Sequence, residues 1–160
     1  MQLLKDISTS LLEVLNQLPE NYYTQQISIL DNQTIGQQVR HIIEHWQILV
    51  ENCDSNSINY AKRKRDISIE QNKQIAISLL KILQQQSNKN DIVLNVVSID
   101  ESTIFTSTYY RELDNVKEHI IHHAAIIRMA ILFIQTDFNM PANFGYAPST
   151  IAYKQQQCVQ

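Results

Sequence analysis

The 160-residue sequence predicts an all-α fold, an up-down four-helix bundle with a short β-hairpin between its third and fourth helices and an irregular C-terminal tail. Three observations predict it. Only two glycines and three prolines interrupt the chain, while Leu, Ile, Gln, Lys and Glu are plentiful, a balance that favours long helices. Apolar residues recur at helical spacing in four separate stretches. Helices of such lengths bury their apolar stripes most simply against one another, with polar ligands projecting inward from facing helices.

The first helix is carried by Leu3, Leu4, Ile7, Leu11, Leu12, Val14, Leu15 and Leu18, and Pro19 with Asn21 closes it. Thr34 is the N-cap of a second helix running to about Cys53, with Ile35, Val39, Ile42, Ile43, Trp46, Leu49 and Val50 as its apolar positions. Asp54-Ser-Asn-Ser ends it. A third helix starts near Ser68, with Glu70 behind it, and carries Ile75, Ile77, Leu79, Leu80, Ile82 and Leu83 to a stop at Gln84-Gln-Gln-Ser-Asn. The period then changes: Ile92-Val-Leu-Asn-Val-Val is β-branched, Asp100-Glu-Ser resembles a turn, and Thr103-Ile-Phe-Thr-Ser-Thr returns as a second strand. The fourth helix spans about Tyr109 to Gln135, and Asn139-Met-Pro-Ala-Asn-Phe-Gly-Tyr-Ala-Pro opens the tail.

Residues 1–160 read as one domain, without linker, internal repeat or sustained heptad. Such a length buries a core without disulfides or a structural metal, so a bound metal would be functional. Lys plus Arg is 13 against 16 Asp plus Glu, a net charge of −3 that offers no field for nucleic acid or an anionic membrane. No leader or membrane-length apolar run is read, which points to the cytoplasm. Cys53 and Cys158 stand apart, so no disulfide framework or thiolate zinc site is expected, and a metal must find nitrogen or oxygen ligands.

All five histidines fall in two clusters, His41 and His45 on the second helix and His119, His122 and His123 on the fourth. Residues four apart lie only about 40° apart on a helix, so His119 and His123 stack on one face, as do His41 and His45. Relative to Val116, His123 sits at about −20° and His119 at about −60°, at or near the interior, while His122 lies near −120°. Relative to Val39, His45 lies near about −120° and His41 near about −160°, so periodicity alone prefers His45. A metal site needs a polar, solvent-reachable wall rather than the apolar seam, and both residues stay open at this point.

Other motifs carry less. Lys62-Arg-Lys-Arg65 lacks interleaved aromatics and reads as a solvated stretch rather than a nucleic-acid patch. Tyr109, Tyr110, Arg111 and Glu112 precede the histidine turns and either line the site mouth or join hairpin to helix. Cys53 reads as a core thiol, and no nucleophile motif or phosphate-cradling glycine loop occurs.

Thr34-Ile-Gly-Gln-Gln-Val-Arg-His41-Ile-Ile-Glu, followed far downstream by Glu118-His119-Ile-Ile-His122-His123-Ala, resembles the DinB/YfiT-like superfamily of metal-binding helical bundles. Asn59-Tyr-Ala-Lys-Arg-Lys-Arg-Asp66, Ser107-Thr-Tyr-Tyr-Arg-Glu-Leu113 and Phe144-Gly-Tyr-Ala-Pro-Ser-Thr-Ile151 also resemble segments of one bacterial branch, so the resemblance spans most of the chain. It implies one ligand from the second helix and a His-x-x-x-His pair from the last, which fall on His41, His119 and His123. Gln38 stands where that branch often has another His, and His45 is extra. Ferritin-like chemistry fits poorly, because only the reversed His41-x-x-Glu44 is present.

The resemblance implies a divalent metal ion, zinc or nickel first and manganese or iron after them. It implies as partners a low-molecular-weight thiol and a small electrophilic substrate, within a metal-dependent transferase or a related hydrolase or isomerase. Glu44 or Glu118 would then support ring N–H groups. The alternative is a non-catalytic metal-binding or stress-associated interaction module, and a homodimer suits either reading.

Overall fold

In the computed structural model, which describes residues 2–157, there are seven α-helices and three short strands, and all but the last helix and the last strand contribute to one buried apolar cluster. Cys158, the second cysteine of the sequence reading, lies outside the described residues. The helices are α1 (Gln2–Gln17), α2 (Glu20–Thr24), α3 (Ile35–Asn52), α4 (Ile67–Gln71), α5 (Lys73–Gln86), α6 (Tyr109–Ile134) and α7 (Pro148–Gln157). The strands are β1 (Ser57–Ile58), β2 (Val93–Val97) and β3 (Ile104–Thr108). Among the described residues, no helix is long and apolar enough to cross a membrane.

The expected all-α, up-down four-helix bundle is not the fold. Four long helices do pack on one another, α3 against α5 and α6 and α1 against the same two. Beside them lies a three-stranded mixed sheet of order β1-β2-β3, with β1 parallel and β3 antiparallel to β2. Leu94 and Ile58 turn inward from the sheet and join the helical core. A strand of two residues such as β1 has no periodicity to read. It forms because the Asn95 amide donates to Asn56 O at 2.9 Å as the chain leaves α3.

Three further corrections have local causes. The third expected helix is divided at Asn72, whose extended backbone breaks α4 and whose side chain accepts from Gln74 N and Ile75 N to cap α5. Pro19 ends α1 but also opens α2, since proline's fixed φ suits a helix start. Likewise Pro148 heads α7 within the stretch expected to be irregular.

Local signals position the two helices that carry the histidines. Thr34 and Gln37 form a reciprocal capping box at the start of α3, with 3.0 Å bonds in each direction. Thr108 caps α6 through the Arg111 amide. Ser87 ties three elements together: its hydroxyl accepts from Trp46 Nε1 at 2.7 Å and donates to Leu83 O, while its carbonyl accepts from the Tyr109 hydroxyl at 3.0 Å. These bonds satisfy polar groups that would otherwise be orphaned in the core.

Gly36, in the first turn of α3, lets α4 approach closely. A Cβ there would lie 2.1 Å from the Glu70 carbonyl oxygen and 3.0 Å from the Tyr23 ring. Alanine ordinarily stabilises a helix interior relative to glycine by about 1 kcal/mol, but here the clash is with backbone and the sign reverses. Gly36→Ala is expected to lower stability by about 1–3 kcal/mol. Urea denaturation checks this, and an unchanged or raised midpoint contradicts it.

Candidate metal centre

The histidine site lies where α3 faces α6. Both helices turn a polar edge toward each other beside their apolar seam, which buries Val39, Ile42 and Trp46 on one side and Val116, Ile120 and Ala124 on the other. His41, His119 and His123 converge there. One nitrogen from each lies within 4.8 Å of the other two, and the ring centroids form a nearly equilateral triangle with sides of 4.7, 4.6 and 4.6 Å. All three are half-buried.

Ring orientation distinguishes His41 from His45. A metal ion lies in the plane of each imidazole that binds it, so ligand planes must intersect near the ion. The three triangle rings meet at 52°, 65° and 59°. His45 instead stacks on His119 at 4.0 Å and 20°, and on Tyr60 at 4.1 Å and 10°. Nearly parallel planes do not converge on one point. His45 therefore forms a buried wall behind His119, while His122 is exposed and meets only the edge of His123.

Hydrogen bonds set the available nitrogens. His123 Nδ1–H donates to Gln38 Oε1 at 2.8 Å, and Gln38 Nε2 donates to Gln33 Oε1 at 2.7 Å. The amide is thereby oriented, and His123 Nε2 keeps its lone pair for a ligand role. His119 Nε2 and His45 Nε2 are both buried with no hydrogen-bond partner. An orphaned ring nitrogen in a triangle of imidazoles fits a cation, because a buried nitrogen without a partner is otherwise costly.

The residues expected to support the rings do not. Glu44 is buried and committed elsewhere: Oε1 accepts from the Asp66 amide at 2.6 Å, and Oε2 lies 3.9 Å from Arg40 Nε. Glu118 is exposed and pairs with Lys117. Gln38 takes that role, at the position where the resembling branch often has a histidine; its i, i+3 relation to His41 was the available signal. Tyr60 was not singled out, because it follows α3 at no helical spacing, and Arg63 was read with its neighbours as a solvated stretch.

Tyr60 backs the site. Its hydroxyl donates to the buried Glu112 at 2.9 Å, and Ser107 donates to the other carboxylate oxygen at 2.6 Å. Burial, reinforced by the Glu112 charge, raises the Tyr60 phenol and keeps it protonated. Glu112 thus joins hairpin and helix, one of the two roles open to it from sequence. A cleft of about 360 Å³, lined by Gln33, Gln37, Gln38, Arg40, His41 and His123, connects the triangle with solvent.

Burial holds the imidazoles neutral, the form that binds metals. It lowers His41 to about 4, helped by Arg63 and Arg40, and His119 to about 4, helped by His41 and His122. His45 and His123 fall to about 3, again through burial first and neighbouring imidazoles second.

No family model matches the chain, and no solved structure matches it. It is similar to FK506-binding protein 5 of Rhizopus delemar, at 27% identity over 143 residues. The match covers 83% of this chain and 36% of that protein, so the chain spans about a third of the length of the curated relative it matches.

A pH dependence follows from the four buried imidazoles. Their folded values lie below the unfolded value of 6.5, so the folded state binds fewer protons in between, and stability rises with pH across that window. Their effect on metal-free stability fades as pH rises past 6.5 and grows unfavourable as pH falls toward 4. Thermal melts should show this decline, made shallower by His45→Phe, which keeps a ring against Tyr60. An equally steep decline in that variant contradicts the assignment.

Proposed function

We propose that the chain holds a divalent metal ion with His41, His119 and His123, as its resemblance to DinB/YfiT-like proteins implies. The metal would serve reactions between low-molecular-weight thiols and small electrophilic substrates. The observation that carries the reading is the convergence of three neutral imidazoles from two helices, one nitrogen of each within 4.8 Å of the others, at the end of an open cleft. Three nitrogen ligands suit zinc or nickel and leave coordination positions free.

A bound ion would supply Lewis acidity favouring the ionised form of a thiol or water. The chain's own groups do the rest. Gln38 fixes the ring orientation of His123, and the His45–Tyr60 stack closes the site behind His119. The 360 Å³ cleft admits a small ligand past Gln37 and Arg40.

A second reading, a non-catalytic metal-holding module, has one observation in its favour. The similar stretch is 36% of the Rhizopus protein, so a related sequence occurs as one part of a longer chain. Turnover of thiols with electrophiles, abolished by chelator and restored by metal, favours the enzyme; none favours the module.

Protein purified without a histidine tag is expected to carry about one equivalent of zinc, nickel, manganese or iron. His119→Ala should lose it and His45→Ala should keep it. Less than about a tenth of an equivalent in the unmodified protein, or loss of metal only in the His45 variant, overturns the assignment.

A further inference from the structure

We infer that Arg63 makes this site selective for ligands bearing a carboxylate, so that the thiol it takes is a carboxylate-bearing one. The inference rests on reading the histidine triangle as a metal centre and adds the substrate class.

Arg63 lies in the connection between β1 and α4, and that connection is pinned on both sides of it. Asn59 folds the chain back by accepting from Ala61 N and Lys62 N, and Tyr60 is held by His45 and Glu112. Beyond Arg63, the Asp66 amide is fixed on Glu44. Lys62 and Lys64 point outward and pair with Glu101 and Glu51. Arg63 alone of the four basic residues turns into the site, half-buried, with Nη1 at 2.6 Å from His41 Nδ1 and 3.2 Å from its Nε2.

Among the described residues, no carboxylate reaches it within salt-bridge distance, and the Glu44 charge acts on it only through space. The carboxylates of the adjoining 520 Å³ cleft are engaged, Glu44 with the Asp66 amide and Arg40, Glu51 with Lys64, and Glu101 with Lys62. A guanidinium has five N–H donors in a fork, and a neutral imidazole offers it a single lone pair.

Because Nη1 lies within 3.2 Å of both His41 nitrogens, it stands in the approach to either one. When His41 gives that nitrogen to a cation, Arg63 must release it and is left half-buried beside a second positive charge. A carboxylate on the incoming ligand resolves both problems, accepting two parallel N–H bonds from the fork and neutralising charge. A thiol without a carboxylate offers the fork no pair of anionic oxygens.

The test compares 3-mercaptopropionate with 2-mercaptoethanol on cobalt(II)-loaded protein, following cobalt absorption and calorimetric Kd. Comparing each thiol with itself across two proteins cancels differences in thiol acidity. Arg63→Gln is expected to weaken 3-mercaptopropionate about tenfold or more while leaving 2-mercaptoethanol within about twofold. Arg63→Lys, which keeps the charge without the fork, should fall between. Equal effects on both thiols, no effect on either, or loss of the cobalt absorption in Arg63→Gln overturns the inference. Cobalt absorption without binding of either thiol overturns the thiol reading with it, and absence of cobalt absorption overturns the metal centre beneath both.

Discussion

Holding three uncharged imidazoles together demands a fixed register between α3 and α6, and the rest of the molecule serves that register. His41 belongs to one helix and His119 and His123 to the other, so a slip of one residue, about 1.5 Å along the axis, would pull the triangle apart. The apolar seam beside the histidines resists it. Val39, Ile42, Ile43 and Trp46 on α3 and Val116, Ile120, Ala124 and Ile127 on α6 are buried, and burying each larger side chain is worth about 1.5–3 kcal/mol. That burial offsets the cost of keeping imidazoles below their ordinary range. The ends are fixed as well, by the Thr34–Gln37 box on α3 and by Ser87, which binds Trp46 and Tyr109 together.

A second layer converts register into site geometry. The Gln33–Gln38–His123 chain sets one ring's tautomer, and the stack of Tyr60, His45 and His119 sets another ring's plane. Glu112 and Glu44, buried carboxylates expected near the site, act on the connection after β1 instead: Glu112 accepts from the Tyr60 hydroxyl and Glu44 from the Asp66 amide, and so they place Arg63 between them. The mixed sheet thus has a role beyond covering the core. Ser107 on β3 shares Glu112 with Tyr60, and β1 delivers the chain to the arginine.

The long helices were legible because their apolar residues keep a 3.6 period, and Thr34 marked the start of α3; the Thr108 cap of α6 was read only as the end of a strand. What escaped lacked period or length: β1 has two residues, and α4 and α5 share one apolar pattern that only the Asn72 backbone divides. The clustering of His119 and His123 was legible from spacing. The choice between His41 and His45 was not, since a helical wheel centred on apolar residues marks the seam and not the polar wall beside it. His45 is the more buried of the two, as its angle suggested, but it is buried in a stack with Tyr60, fifteen positions along the sequence, where no periodicity reaches. Arg63 was hidden for a different reason: within Lys62-Arg-Lys-Arg65 its composition matches its solvated neighbours, and only the pinning at Tyr60 and Asp66 sets it apart.

The central claim is that His41, His119 and His123 converge on one metal ion while His45 stands behind them. Crystals of zinc-loaded protein, measured on both sides of the zinc absorption edge, test it most directly. The account predicts a single anomalous peak about 2.0–2.1 Å from one nitrogen of each of the three residues, with His45 still stacked on Tyr60. A peak bonded to His45 in place of His41, or no peak in the triangle, would contradict it.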